Sequence, residues 1–187
     1  MAVYYTADLH LGHKNILQVR TQFQSIDEHD AFLLDKWNEK VTDSDEVYIL
    51  GDLSYKSQYH ISHYLSRMKG RKHLVIGNHD HTWMKNVKDM SEYFETTENL
   101  NIIKFEGKLI TLCHYPLLEW AGSRHADAGI YYLIHGHIHG EKHPETYGYI
   151  KEHRPHAFNA GVDVNGFEPV TFEQLKENNR IWYGREE

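Results

Sequence analysis

Side chains of the types that bind metal ions follow five apolar runs of this sequence, at the point where each run ends. They are, in chain order, Asp8, His10, Asp52, Asn78, His114, His137 and His139. Apolar runs that close on a glycine or on crowded polar donors are typical of buried strands, and open α/β sheets place their chemistry at the carboxyl ends of such strands. The pattern therefore places the candidate chemistry in the loops after these strands.

These seven side chains offer two carboxylates, one amide oxygen and four imidazoles. Asp8 and His10 alternate by two at a strand end, so both can point to the same side, and His137 and His139 repeat this spacing. A single tetrahedral or octahedral ion uses fewer ligands than this beside its waters. The ligand count favours two ions that share a carboxylate.

The chain up to Gly77 alternates strands and helices. Apolar runs at 3–7, 46–50 and 73–76 predict three strands. Between them, apolar residues at helical spacing predict one helix capped by Ser25 or Asp27 and a second over 59–68. This order is the signature of a parallel sheet covered by helices.

The second half of the chain predicts a different arrangement. The runs 100–105 and 108–113 are separated by Glu106 and Gly107, a two-residue turn that predicts an antiparallel hairpin. Further strands are predicted at 131–134, 157–164 and 181–183, with a short helix over 171–177 and a surface loop from 141 to 156. Together with the first half, this predicts an α/β fold of two sheets packed face to face with helices outside, in a single domain over residues 1–187.

The amino-acid composition limits the classes of molecule that the protein is expected to bind. Twenty basic against twenty-seven acidic residues give a formal charge of −7, so we expect no stable nucleic-acid complex and no membrane surface, and divalent cations suit the chain better. Sixteen histidines in 187 residues raise the expectation of a metal site. Cys113 is the only cysteine, and the chain starts almost at once with a strand, so a soluble, cytoplasmic protein is expected.

The motifs taken in order resemble the calcineurin-like metallophosphoesterase family. They are Asp8-x-His10, Gly51-Asp52, Gly77-Asn78-His79-Asp80, His114 and Gly136-His137-x-His139, each after a predicted strand. The similarity is greater to the compact bacterial, archaeal and phage phosphoesterases of that family. The resemblance implies a four-layered α/β/β/α sandwich of two mixed sheets with flanking helices, which agrees with the hairpin and the parallel strands.

The resemblance also implies a role for each position. Asp8, His10 and His139 would hold one metal ion, and Asn78, His114 and His137 the other. Asp52 would bridge the two ions. His79 would contact the substrate and protonate the leaving oxygen as a catalytic residue, and Asp80 would orient the loop or that imidazole. The ions would be two divalent transition metals, manganese first, with Fe, Ni, Co or Zn as the other options.

The reaction implied is hydrolysis of a small phosphoester by a metal-bridging hydroxide, with a phosphodiester such as a cyclic nucleotide or short oligonucleotide favoured. The alternatives are a phosphomonoesterase and a non-catalytic metal-binding scaffold of the same fold. A phosphoprotein substrate is disfavoured, because Leu53 follows Asp52 and Asp80 follows His79 where the phosphoprotein phosphatases carry other residues. The chain is expected to be a monomer or a homodimer.

Three further residues are candidates for binding the substrate. His13 and Lys14 lie beside the first motif, where a lysine offers a point charge to a phosphate. Arg124 lies between the fourth and fifth motifs, in a predicted loop that reaches the site. Asp163, in the last strand-like run, is a candidate partner of a metal-binding imidazole.

Overall fold

The computed structural model describes residues 1–185, and the side chains of all of these except Ala126 and Asp127. Its strands form two sheets of four, and the predicted α/β class is confirmed. No helix among residues 1–185 combines the length and the apolar character needed to cross a membrane.

The first sheet is built from the first half of the chain. Its strands, in spatial and chain order, are β1 (Val3–Thr6), β2 (Glu46–Ile49), β3 (Arg71–Val75) and β4 (Thr96–Glu98). All three pairings are parallel, and the sheet becomes mixed only through an antiparallel bridge between Tyr5 and Val170. The carboxyl ends of β1, β2 and β3 therefore lie at one edge, which is where the first three metal-binding motifs begin.

The second sheet begins with the predicted hairpin. Its strands, in order, are β5 (Leu100–Phe105), β6 (Lys108–Cys113), β7 (Tyr131–His135) and β8 (Ala157–Asn159). β5 and β6 are antiparallel, and the later pairings are parallel. Glu106 and Gly107 both have positive φ, of 49° and 76°, as a tight hairpin turn requires.

The helices cover the outer faces. They are α1 (Ile26–Lys40), α2 (Ser62–Leu65), α3 (His81–Met84), α4 (Tyr149–His153) and α5 (Phe172–Tyr183). Ser25 caps α1 as predicted, because its side chain accepts a hydrogen bond from the Glu28 amide at 3.1 Å. Thr171 and Gln174 form a capping box at the start of α5, and Gly184 ends it with φ 61°.

Three buried clusters separate the layers. One lies between α1–α3 and the first sheet and includes Leu33, Trp37 and Ile49. A second lies between the sheets and includes Leu50 and Ile134. The third packs the outer face of the second sheet against α4 and α5 through Leu133, Ile150 and Tyr183, among others. The molecule is thus an α/β/β/α sandwich.

Three local predictions for the C-terminal part are wrong. The strand expected at 181–183 is the last turn of α5, since Leu175, Asn179 and Tyr183 recur every four residues and are all buried. The loop expected over 141–156 contains a π-helical turn (Pro144–Gly148) and α4, which forms because Ile150 is buried in the third cluster. The strand expected over 157–164 ends at Asn159, and the chain turns there to bridge Ala7 through Gly161.

Candidate metal centre

The seven predicted metal-binding residues follow five strands of the two sheets. Asp8 and His10 follow β1, Asp52 follows β2, Asn78 follows β3, His114 follows β6, and His137 and His139 follow β7. All five strands run in parallel within their sheets, and contacts of His10 with His139 and of Asn78 with His114 bring the carboxyl ends of the two sheets together.

Backbone geometry singles out the same positions. Eight described residues other than glycine have φ between 48° and 72°, and five of them are predicted metal-binding residues. These five are Asp8, His10, Asp52, His137 and His139. A left-handed conformation is unfavourable for residues with a Cβ and is concentrated at functional sites, where surrounding structure maintains it. The backbone is therefore strained at the positions that present these side chains.

Close backbone packing beneath the site depends on two glycines. A Cβ on Gly51 would lie 2.7 Å from Gly77 Cα, and a Cβ on Gly77 would lie 2.4 Å from Asp52 Oδ1. Only glycine allows the β2 and β3 loops to approach so closely. This approach places Asp52 between the two loops.

Asp8, His10 and His139 form one group of donors, in which the ligand atoms lie within 4.8 Å of one another. His10 Nε2 and His139 Nε2 are 3.1 Å apart. Burial and the neighbouring His139 lower the pKa of His10 well below its usual value, so its imidazole is neutral, as a metal ligand must be. Burial raises the pKa of Asp8 to about 6, against the charges of His139 and His114.

Asp52 occupies the centre of the site. Its Oδ2 lies 3.7 Å from His10 Nε2, 3.9 Å from His79 Nε2 and 3.6 Å from His114 Nε2. Its other oxygen, Oδ1, accepts a hydrogen bond from the His79 amide at 2.9 Å. One carboxylate oxygen is thus fixed by the backbone, and the other faces imidazoles from three loops.

Asn78, His114 and His137 come together on the side of Asp52 that faces the second sheet. His114 Nε2 lies 3.0 Å from Asn78 Oδ1, and the rings of His114 and His137 are 5.1 Å apart. His114 Nδ1 lies 2.8 Å from the Leu50 carbonyl, which assigns the proton to Nδ1 and leaves Nε2 free to bind a metal.

The donor set fits divalent transition metals. Three overlapping groups each bring their ligand atoms within 4.8 Å: Asp8–His10–His139, His10–Asp52–His79 and Asp8–Asp52–His114. Two basic nitrogens 3.1 Å apart and a carboxylate oxygen facing three imidazoles are arrangements that a bound cation stabilises. Mixed imidazole and carboxylate ligands suit Mn, Fe, Ni, Co or Zn.

His79 and His13 form a rim above the cluster together with Tyr55. The Tyr55 ring lies 4.1 Å from the His79 ring and 4.9 Å from the His13 ring. His79 is half-buried, so one side faces Asp52 and the other reaches solvent. The predicted substrate-binding position of His13 is consistent with this location, whereas Tyr55 was not identified from the sequence.

Asp80 lies below the site and braces it. Its carboxylate accepts hydrogen bonds from the amides of Gly77, Asp52 and Leu53 at 2.8–2.9 Å, and from the Trp83 indole at 2.8 Å. These contacts tie the β3 loop to the β2 loop. Of the two roles predicted for Asp80, this geometry matches orientation of the loop and not of the His79 imidazole, so Asp80 is a positioning residue.

Two of the predicted substrate-binding residues, Lys14 and Arg124, have exposed side chains. Lys14 is exposed in the 3₁₀ helix Lys14–Gln18. The guanidinium of Arg124 pairs with the Glu119 carboxylate at 2.9 Å, and both side chains are exposed. In this structure the side chain of Arg124 is therefore paired with Glu119, and its predicted role in substrate binding stays a prediction.

Arg20 is a residue of the site that sequence reasoning missed. Its side chain is 1% exposed and donates hydrogen bonds to the carbonyls of Asp8 and Leu9 at 2.6 and 3.0 Å. It also donates two hydrogen bonds of 2.8 Å to Asp163, whose Oδ2 lies 3.4 Å from His139 Nδ1. Arg20 thus connects the loop that carries Asp8 to Asp163, which contacts the imidazole of His139. No local pattern around Arg20 marks it, because its partner is 143 residues away.

Asp163 lies beside the imidazole of His139, one of the predicted metal-binding residues. Its position in the sequence suggested such a contact. Burial alone would raise its pKa, but the hydrogen bonds from His139 and Arg20 and the Arg20 charge lower the pKa below its usual value. The carboxylate is therefore ionised and fixes the His139 proton on Nδ1, which directs Nε2 to the cluster.

A second polar chain starts from Arg20 and supports the same loop. Arg20 contacts His29 Nε2 at 2.9 Å, and His29 Nδ1 contacts Asp30 Oδ1 at 2.8 Å. Asp30 Oδ2 accepts a hydrogen bond from the Gly12 amide at 2.8 Å. Both ends of the loop around His10 are thus attached to α1.

Several known proteins are similar to this chain in sequence or structure. The model of the calcineurin-like phosphoesterase superfamily domain matches residues 1–161. The Gene 66 protein of Mycobacterium phage D29 is 30% identical over 161 residues, which cover 73% of this chain and 78% of that protein. The Gene 66 protein of Mycobacterium phage L5 is 42% identical over 80 residues, and this match covers 41% of the chain and only 39% of the phage protein. A protein of unknown function from Aquifex aeolicus has a similar crystal structure, with a TM-score of 0.71, 26% identity, and coverage of 94% of this chain and 97% of that one.

Proposed function

The chain belongs to the calcineurin-like phosphoesterase superfamily, and on this premise we propose that it hydrolyses a small phosphoester, with a phosphodiester favoured, at a centre of two divalent metal ions. Family membership and the donor cluster together support a metal-dependent phosphoesterase. The observation that carries the proposal is the position of Asp52, whose Oδ2 faces imidazole nitrogens of three loops at 3.6–3.9 Å.

Each ion is assigned to one donor group. Asp8, His10 and His139 would hold the first, and Asn78, His114 and His137 would hold the second. Asp52 would be shared by the two ions, which is supported by its membership of donor groups with His10 on one side and His114 on the other. Manganese is the first choice of metal, and Fe, Ni, Co and Zn suit the same ligands.

When bound, two such ions supply a hydroxide nucleophile and neutralise the charge that develops on the phosphate. The protein's own contribution is to fix the ligands and to provide His79 as the acid for the leaving oxygen. Asp52 Oδ1 holds the His79 backbone at 2.9 Å, and the Tyr55 ring packs against the imidazole at 4.1 Å. A histidine held in this way can transfer a proton while it faces both the cluster and solvent.

The test compares bis-p-nitrophenyl phosphate with p-nitrophenyl phosphate, using protein loaded with Mn²⁺. We expect faster hydrolysis of the diester. Preference for the monoester indicates a phosphomonoesterase, and two bound metal ions without turnover on either ester indicate a non-catalytic scaffold. If the protein neither binds any of the five metals nor hydrolyses either ester, the whole assignment is contradicted.

His79→Asn separates the catalytic role from metal binding. We expect it to retain the metal content of the wild type and to lower kcat roughly 10²- to 10⁴-fold, the usual contribution of a general acid. The matched control is His81→Asn, because His81 is exposed at the start of α3. Loss of metal in His79→Asn would instead make this residue a ligand, as its grouping with His10 and Asp52 allows.

A further inference from the structure

A cleft of about 340 Å³ opens beside the metal-binding loops, in the part of the chain that follows Asp52 and His79. One wall is formed by the segment from Ser54 to Ile61, and the other by α3 and the residues after it. His60 connects the two walls, since its Nε2 donates a hydrogen bond to the Asn86 carbonyl at 3.3 Å. Trp83 lines the cleft, and its indole N–H donates a hydrogen bond to Asp80. Asp80 therefore connects a wall of the cleft to the loops after β2 and β3.

The cleft is basic in an acidic protein. Lys56 and Lys85 line it and are exposed, and the described residues that line it include no carboxylate. The whole chain, in contrast, carries a formal charge of −7. The Asn86 side chain also lines the cleft and offers an amide donor to an anion.

Lys56 lies near the metal cluster. Its Nζ lies 4.9 Å from the centre of the Tyr55 ring, and that ring centre lies 4.1 Å from the His79 ring, so the ammonium is at most about 9 Å from the imidazole. Its charge reaches His13 as well: burial, then the charges of His79 and Lys56, lower the pKa of His13. Lys56 has a positive φ of 48°. Glu106 and Phe167 also have positive φ, but each of them lies next to a glycine, and Lys56 does not.

A second cleft, which His137 lines, differs in charge from the first. It has a volume of about 250 Å³ and includes Pro116, His137 and Glu141. The described residues that line it include no lysine or arginine. An anionic part of a substrate is therefore favoured on the His79 side and not on the His137 side.

We propose that the Lys56–Lys85 cleft binds a second phosphate of the substrate while the scissile phosphate lies at the metal cluster. A separation of at most about 9 Å between Lys56 and His79 suits two phosphates of one nucleotide or neighbouring phosphates of a strand. This inference rests on the proposed phosphoesterase function and favours short oligonucleotides or nucleotide bisphosphates over cyclic nucleotides, which carry one phosphate.

The experiment measures binding of adenosine 3′,5′-bisphosphate and adenosine 5′-monophosphate to Mn²⁺-loaded protein by calorimetry. Lys56→Gln and Lys85→Gln are compared with the wild type, and Lys104→Gln is the control, because Lys104 is exposed on β5. We expect the wild type and the control to bind the bisphosphate roughly tenfold more tightly, as charge-assisted contacts allow. In each cleft variant this ratio should fall to about threefold or less.

Equal affinities in the wild type in both the adenosine and the dinucleotide arm, or a preference that survives in the Lys56→Gln/Lys85→Gln double variant, would overturn the proposal. A parallel arm with a thymidine dinucleotide, with and without a terminal phosphate, distinguishes a strand from a free nucleotide, and a preference in either arm supports the cleft. Hydrolysis of bis-p-nitrophenyl phosphate is measured on the same samples. Turnover without a second-phosphate preference contradicts this cleft alone, whereas absence of metal binding and turnover contradicts the proposed function.

Discussion

Replacement of Asp163 by asparagine should weaken metal binding at one half of the centre. Asp163 accepts two hydrogen bonds of 2.8 Å from Arg20, and its Oδ2 lies 3.4 Å from His139 Nδ1. Asparagine keeps the size of the side chain but removes the charge and one of the two acceptors. An amide nitrogen in place of Oδ2 loses both the bond from Arg20 Nη2 and the His139 contact, and one in place of Oδ1 loses the bond from Arg20 Nε.

The expected magnitude follows from these contacts. Loss of the partner of a metal-binding histidine costs roughly 10- to 100-fold in metal affinity, and the loss should affect the ion held by Asp8, His10 and His139. The same change leaves a guanidinium that is 1% exposed without its counter-charge. Since the Asp163 side chain is 16% exposed, we expect the metal-free protein to lose about 2–4 kcal/mol of unfolding free energy, somewhat less than for a fully buried pair.

The assay combines Mn²⁺ titration with urea unfolding of the metal-free protein. Glu168→Gln is the control, because it removes a carboxylate five residues away whose partner, Lys40, is remote from the centre. One ion should bind more weakly in Asp163→Asn, and both should bind normally in the control. If Asp163→Asn is less stable but binds both ions within twofold of the wild type, Asp163 stabilises the fold and does not position His139.

Two further changes test the surroundings of the centre, and a third tests the pH dependence of stability at the amino ends of β1 and β2. Gly77→Ala should reduce bound metal and hydrolysis strongly in a chain that still folds, because its Cβ would lie 2.4 Å from Asp52 Oδ1; normal metal content by elemental analysis would refute this. Asp80→Asn should lower the unfolding free energy by about 2–4 kcal/mol in urea, since an amide NH₂ replaces one carboxylate oxygen, and each oxygen accepts hydrogen bonds from two N–H groups; an unchanged midpoint would show that these bonds do not stabilise the fold. Asp45→Asn tests pH dependence: hydrogen bonds from the Ala2 amide and Thr42 lower the pKa of Asp45 to about 2, so its contribution to stability is present above about pH 4 and is lost as the pH falls towards 2. The variant should be less stable than the wild type at pH 7, and the difference should shrink below pH 4 in acid unfolding curves; a constant difference would contradict this.

Much of the centre could be predicted from the sequence because its signal is local. A short apolar strand followed by a polar loop is written in consecutive residues, and the alternation of Asp8 with His10 and of His137 with His139 needs no distant partner. The structure brings all seven predicted metal-binding side chains to one edge. The hairpin turn at Glu106 and Gly107 and the Ser25 cap of α1 are local in the same sense and are confirmed.

Longer-range contacts account for what the sequence left open. Helix α5 extends to Tyr183, where a strand had been expected, because Asn179 bonds to both Leu175 and Asn159 and continues the helix across the second sheet. Ile150 forms part of a helix because a cluster built from distant residues buries it. In both cases the local pattern was ambiguous and burial decided the outcome.

The roles of the supporting residues were likewise decided by tertiary structure. The motif placed Asp80 next to His79, but only the folded chain shows its carboxylate receiving amides from two loops. Arg20 has no motif, and it reaches Asp163 only because β1 and the segment after β8 lie side by side. The sequence by itself determined which side chains could bind metal ions, since ligand chemistry belongs to residue type and local spacing. The tertiary structure alone decided which residues hold those side chains in place, because hydrogen bonds between distant segments exist only after the sheets have packed.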